Sequence, residues 1–105
     1  MNWSTVSDLE DRLTPLRLRF IERLHGNLPA LLELRPKLGD DASRTEVIAI
    51  VHKIAGMAGT MGFPDLGAAA RKLEECLVDR PGETATARAD LDDLADRITA
   101  VVAKG

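Results

Sequence analysis

Apolar residues recur at helical intervals along nearly the whole chain. Leu9, Leu13, Leu16, Phe20, Leu24, Leu28, Leu31 and Leu38 form one stripe at helical spacing, the mark of an amphipathic helix. Pro15 and Pro29 interrupt the polar side of the stripe but not its phase. The pattern predicts a short opening helix over about 5–13 and a long helix over about 15–38, bent near Gly26 where Pro29 removes a backbone donor. The run GDDASRTE reads as a loop and a helix start, with Ser43 and Glu46 at capping-box spacing. A helix over about 44–61 follows, with Gly62 as its left-handed terminator. Pro64 and Asp65 suit the first turn of the next helix, whose buried stripe is Leu66, Ala69, Ala70, Leu73 and Leu77. DRPGE is a turn, and a last helix over about 85–103 buries Leu91, Leu94, Ile98 and Val101. With no repeat or linker in the sequence, residues 1–105 are expected to form a single all-α domain. Its expected architecture is an up-down four-helix bundle with a short additional N-terminal helix.

The helix over 44–61 has an unusual outer face. At about 100° per residue, Val47, Ile50, Ile54, Met57 and Met61 fall together as the core stripe. His52 lies on the opposite side, mid-helix and facing solvent. Around it are Thr45, Ile48, Ala49, Ala55, Gly56 and Gly59, a small and partly apolar set where charges would normally stand. Each interior glycine costs a helix about 1 kcal/mol against alanine. Gly56 and Gly59 follow His52 by one and two turns, so another protein's surface can approach the imidazole. Ile48, one turn before, offers an apolar anchor, with Ala49, Ala55 and Gly59 completing the docking face. Packing between helices of the same chain is the other use for such glycines, but on this phase they face away from the core.

Composition narrows the function. The formal net charge is −3 and no long Lys/Arg block occurs, so nucleic acid is not an expected partner. No apolar run reaches the ~18 residues of a membrane span, and MNWSTVSDLE lacks an apolar signal segment. The single cysteine, Cys76, excludes an internal disulfide. It fits a buried small residue in a cytoplasmic protein.

The stretch VHKIAGMAGTMGFPDLGAAARKLE resembles the histidine-containing phosphotransfer (HPt) domain of bacterial two-component phosphorelays. Val51, His52, Ile54, Gly56, Ala58, Met61, Gly62, Leu66, Leu73 and Glu74 carry the likeness. The resemblance implies a four-helix bundle that carries a phosphoryl group on His52. The group would come from the aspartyl phosphate of a receiver domain on a hybrid histidine kinase and pass to the receiver of a response regulator. It implies no kinase activity of the chain's own, and no Gly-rich phosphate loop or Walker pattern is present. One departure stands out. Many members of the family have Lys three residues after the His, where this chain has Ala55. Lys53 reaches the site only from the flank, and Arg71 and Lys72 on the next helix are further candidates. Glu74 falls where the family places a Gln or Glu beside the His. It can accept the imidazole Nδ1–H and leave Nε2 as the nucleophile, or be an ordinary flank carboxylate. No acidic cluster near His52 suits Mg²⁺, so no cofactor is expected to be bound, and the receiver would supply the metal. One core in 105 residues permits a monomer.

Other functions compete. His25, His52, Met57 and Met61 are conceivable ligands of a metal- or haem-binding bundle, but Met57 and Met61 are phased away from His52 and no Cys-x-x-Cys-His motif occurs. The dimerisation domain of a histidine kinase places an acid right after its His, where this chain has Lys53. A non-catalytic helical adaptor would keep working after His52→Gln.

Overall fold

The computed structural model describes the backbone of residues 3–104 and the side chains of residues 11–104. Four helices follow in order: α1 (Trp3–Leu34), α2 (Asp41–Ala58), α3 (Pro64–Asp79) and α4 (Thr84–Lys104), with a 3₁₀ turn at Arg35–Lys37 after α1. The all-α four-helix bundle is therefore as the apolar pattern predicts. The opening segment is not a separate helix, because α1 runs through both Pro15 and Pro29. Each proline leaves one carbonyl of the preceding turn, that of Asp11 or His25, without its amide partner. Asp11, Pro15, His25 and Pro29 are all exposed, so water can satisfy those carbonyls.

The α1 stripe is buried where the bundle covers it. Phe20, Leu24, Leu31 and Leu38 are in the core, and Leu13 and Leu28 pack at its edge. Leu16 is 44% exposed, against expectation. The side chain of Leu9 lies outside the described residues. Leu13, Phe20, Leu24 and Leu31 lie roughly 40–80° round the helix from Leu16, all to the same side, which leaves Leu16 on the flank of the stripe. Arg17, half-buried, faces the bundle instead: its Nε donates to the carbonyl of Met61 at 2.8 Å. At the other end, Arg35 makes a two-pronged bridge to Asp92 on α4, with contacts of 2.7 and 2.8 Å. That hydrogen bonding holds the Asp92 carboxyl below the usual carboxylate range.

Asp40, not Ser43, caps α2. The Asp40 side chain accepts the backbone N–H of Ser43 at 3.1 Å and also its hydroxyl at 3.2 Å. The Ser43–Glu46 box does not form, since Asp caps as well as Ser and starts the helix three residues sooner. After Ala58, Phe63 N–H donates to the Ala58 carbonyl at 2.7 Å and Gly62 N–H to that of Gly59 at 3.2 Å. This is a Schellman closure, and Gly62 takes the left-handed φ of 91° it requires. Phe63 then stacks on Phe20, ring centroids 6.0 Å apart. Pro64 fills the first turn of α3.

The core face of α2 is turned from the one the sequence suggests. Val47, Val51, Ile54, Ala58 and Met61 are buried, whereas Ile50 and Met57 sit at the core's edge. The buried centre is shifted by about 50° toward Val51, because α2 packs chiefly against α3. The seam between them is tight at Gly67. A Cβ there would meet the Ala58 Cβ at 3.3 Å and the Ala55 carbonyl oxygen at 3.7 Å.

These contacts separate two glycines by their effect on folding. Gly67→Val should destabilise the bundle by about 1–3 kcal/mol through overpacking. Gly56→Ala, with nothing within 4 Å of the new methyl group, should stabilise it by up to about 1 kcal/mol. Urea unfolding of both variants checks the pair. Equal midpoints would mean that the seam does not lie at Gly67.

Candidate functional site

The tight seam fixes the register of α2 against α3. Gly67 lies opposite Ala55, Ala58 and Gly59, and seven residues further along α3, Glu74 lies opposite His52. The two helices are antiparallel, and this register brings the two side chains together. His52 Nδ1 is 2.7 Å from Glu74 Oε2. An ionised carboxylate has no proton to give, so the ring nitrogen donates and the free lone pair of a neutral imidazole is then on Nε2. The His52 side chain is 73% exposed and that of Glu74 23%. The carboxylate is partly sheltered in the seam and the ring stands out from it.

The surroundings of His52 are open. Gly56 and Gly59 are exposed, and an added Cβ at either would touch nothing within 4 Å. They serve no close packing inside this chain, a use that belongs to Gly67. Ala49 is exposed as well, while Ala55 is half-buried at the core's edge. Ile48 corrects the sequence reading. It is half-buried and packed against the core, because the turn of α2 toward Val51 draws the Ile48 flank inward. Val78 takes the more open position. It lies one turn beyond Glu74 on the same flank of α3, level with Ile48, and is 55% exposed.

The cations distribute unevenly. Lys53 is exposed and borders a groove between α1 and α2, floored by Phe20, Ile50, Ile54 and Met57 and shared with Arg23. It therefore stands on the α1 side of His52, away from Glu74. Lys72 reaches α4, where its Nζ is 3.7 Å from Oδ1 of Asp90, a buried aspartate. Arg71 is exposed and has no hydrogen bond or ion pair among the described residues. His25 is exposed on α1 and Met61 is in the core, so the residues of the metal or haem reading occupy different surroundings. Among the described residues no group of three His, Cys, Asp or Glu side chains can hold a metal ion.

Sequence reasoning places His52 on the open face and leaves Glu74 either as partner of the ring or as an ordinary flank carboxylate; the 2.7 Å contact makes it the partner. Sequence reasoning misses Val78 and Gly67. The small-residue run Gly67, Ala69, Ala70 opposite Ala55 and Ala58 carries the signal of a close helix approach. Val78 carries a weaker one, an apolar residue just off the buried stripe of α3.

Among the described residues no helix is long and apolar enough to cross a membrane. No curated protein and no solved structure matches the chain. A family model, that of the Hpt domain, matches residues 8–104. That span takes in all of α2, α3 and α4, the exposed histidine and its carboxylate partner, and the chain accordingly belongs to the Hpt domain family, the histidine phosphotransfer modules of phosphorelays.

Proposed function

We propose that the protein relays a phosphoryl group through His52, from the receiver aspartate of a hybrid histidine kinase to that of a response regulator. The observation that carries this reading is the geometry of the ring: Nδ1 held 2.7 Å from Glu74, Nε2 left as the nucleophile, and glycines on the approach. In the forward step the Nε2 lone pair attacks phosphorus. The acyl P–O bond breaks, and its electron pair returns to the aspartate carboxylate. The Nδ1 proton stays between the ring and Glu74, whose charge stabilises the imidazolium that results. The second receiver reverses the step with its own carboxylate as nucleophile.

Mg²⁺ fits poorly on this chain's side of the reaction. Mg²⁺ takes oxygen ligands in octahedral array, and the carboxylate nearest His52 is already bonded to it. We therefore assign the metal to the receiver. We assign receiver docking to Val78, exposed one turn beyond Glu74, and to half-buried Ile48 level with it, together with Ala49, Ala55, Gly56 and Gly59. The protein is expected to act as a cytoplasmic monomer that binds neither nucleic acid nor membrane. Its net charge of −3 speaks against nucleic acid as a partner.

Two experiments test the proposal. Incubation with a phosphorylated receiver and Mg²⁺, followed by digestion and mapping, should place an acid-labile phosphate on His52. His52→Gln should abolish labelling while altering stability by no more than about 0.5 kcal/mol, as is usual for an exposed side chain. Label on His25, or label persisting in His52→Gln, contradicts the reading. For docking, Val78→Asp should raise the half-saturating receiver concentration about tenfold, since such contacts concentrate in a few central residues. Transfer at the wild-type concentration dependence would remove α3 beyond Glu74 from the docking surface.

A further inference from the structure

The phosphorylated site proposed above has a charge problem. A phosphoryl group on Nε2 brings close to two negative charges. Glu74 holds a carboxylate 2.7 Å from the other ring nitrogen. The imidazolium formed on transfer offsets only part of that total. A nearby cation would relieve the remainder, and the chain offers several.

The structure ranks them. Lys72 is directed to α4 by Asp90, at 3.7 Å. Asp90 is buried with its other oxygen unpartnered, so drawing Lys72 away would strip that carboxylate of its cation. Lys53 is about 100° round α2 from His52 and borders the α1 groove with Arg23, on the side of the ring away from Glu74. Arg71 is placed otherwise. It precedes Glu74 by three residues on α3, so the two share one flank of the helix. The register set by Gly67 and Glu74 puts Arg71 level with Ala55, about 4.5 Å along the axis from His52. Over that stretch α2 carries only the methyl group of Ala55 and no side chain at Gly56, and nothing lies within 4 Å of the Cβ position of Gly56. Arg71 is exposed, and no carboxylate among the described residues engages it.

We infer that Arg71 supplies the cation for the phosphoryl group on His52. Its planar guanidinium can hold two phosphoryl oxygens at once. The site is then asymmetric about the His52–Glu74 pair, with the cation on the Ala55 side and the apolar pair Ile48 and Val78 on the other. Arg71 does from the neighbouring helix what Ala55 cannot do from α2. The inference rests on His52 being the phosphorylated residue.

Phosphoramidate tests it without any receiver. The Nε2 lone pair attacks phosphorus, the P–N bond breaks, and its electron pair leaves with ammonia. Labelling of the full chain can be followed by ³¹P NMR. Arg71→Ala should label about tenfold more slowly than wild type, Arg71→Lys should recover part of the loss, and Lys72→Ala should stay within twofold. The gap between wild type and Arg71→Ala should narrow as salt is raised, because the contact is exposed and screened. Circular dichroism and thermal melting of Arg71→Ala should match wild type, which separates loss of the cation from loss of fold. Labelling of Arg71→Ala within twofold of wild type overturns the inference, as does an equal or larger loss in Lys53→Ala. A wild-type chain that takes label on His52 from phosphoramidate but never from a receiver would defeat the relay reading alone, and the Arg71 comparison would still stand on its own rates. No label on His52 from phosphoramidate overturns both.

Discussion

Where α3 crosses α2 at Gly67, a side chain of any size would press on Ala58. Everything at the site depends on that close approach. It lets two helix backbones run side by side with only small residues between them, and so fixes which residues of α3 face which residues of α2. Glu74 then meets His52 at hydrogen-bond distance with no loop or bound group to position it. Both side chains stand on regular helices, the most rigid supports a small bundle can offer.

The site and the core occupy separate sectors of α2. Val47, Val51, Ile54 and Ala58 are buried and carry the packing that holds the bundle together. His52, Gly56 and Gly59 are on the other side and contribute little to it. Gly56 costs helix stability, and a Cβ at Gly56 or Gly59 would touch nothing within 4 Å, so neither glycine is required by packing inside this chain. Gly62 is different in kind. It closes α2 with a left-handed turn and sets the angle at which α3 begins, so it acts on the site only through the fold.

Much of this was legible in the sequence, and the misses have physical causes. The helix order, the Gly62 terminator and Pro64 at the start of α3 follow from local chemistry, which the sequence states directly. The outward phase of His52 survived an error of about 50° in the core direction, because His52 lies far enough from either estimate of the buried centre. Ile48 did not survive it. A residue on the flank of a helix changes from exposed to half-buried on a small rotation, and that rotation is set by which neighbour packs closest. The same holds for Leu16, which lies on the flank of the α1 stripe, roughly 40–80° from Leu13, Phe20, Leu24 and Leu31. An interior proline costs a helix about 3 kcal/mol, which favours the expected division of the first helix at Pro15. That local argument does not include the water available to a carbonyl on the solvent side. The partnership of Lys72 with Asp90 was out of reach, since it needs the relative placement of α3 and α4.

The central claim is that Glu74 fixes the proton of a neutral His52 on Nδ1 and so leaves Nε2 to react. The most direct test is the tautomer itself, read from long-range ¹H–¹⁵N correlations of the His52 ring at alkaline pH. The account predicts a protonated Nδ1 and an unprotonated Nε2 in the wild-type chain, with that preference lost in Glu74→Ala. A ring carrying its proton on Nε2 in the wild type, or a tautomer unchanged by removing Glu74, would contradict it.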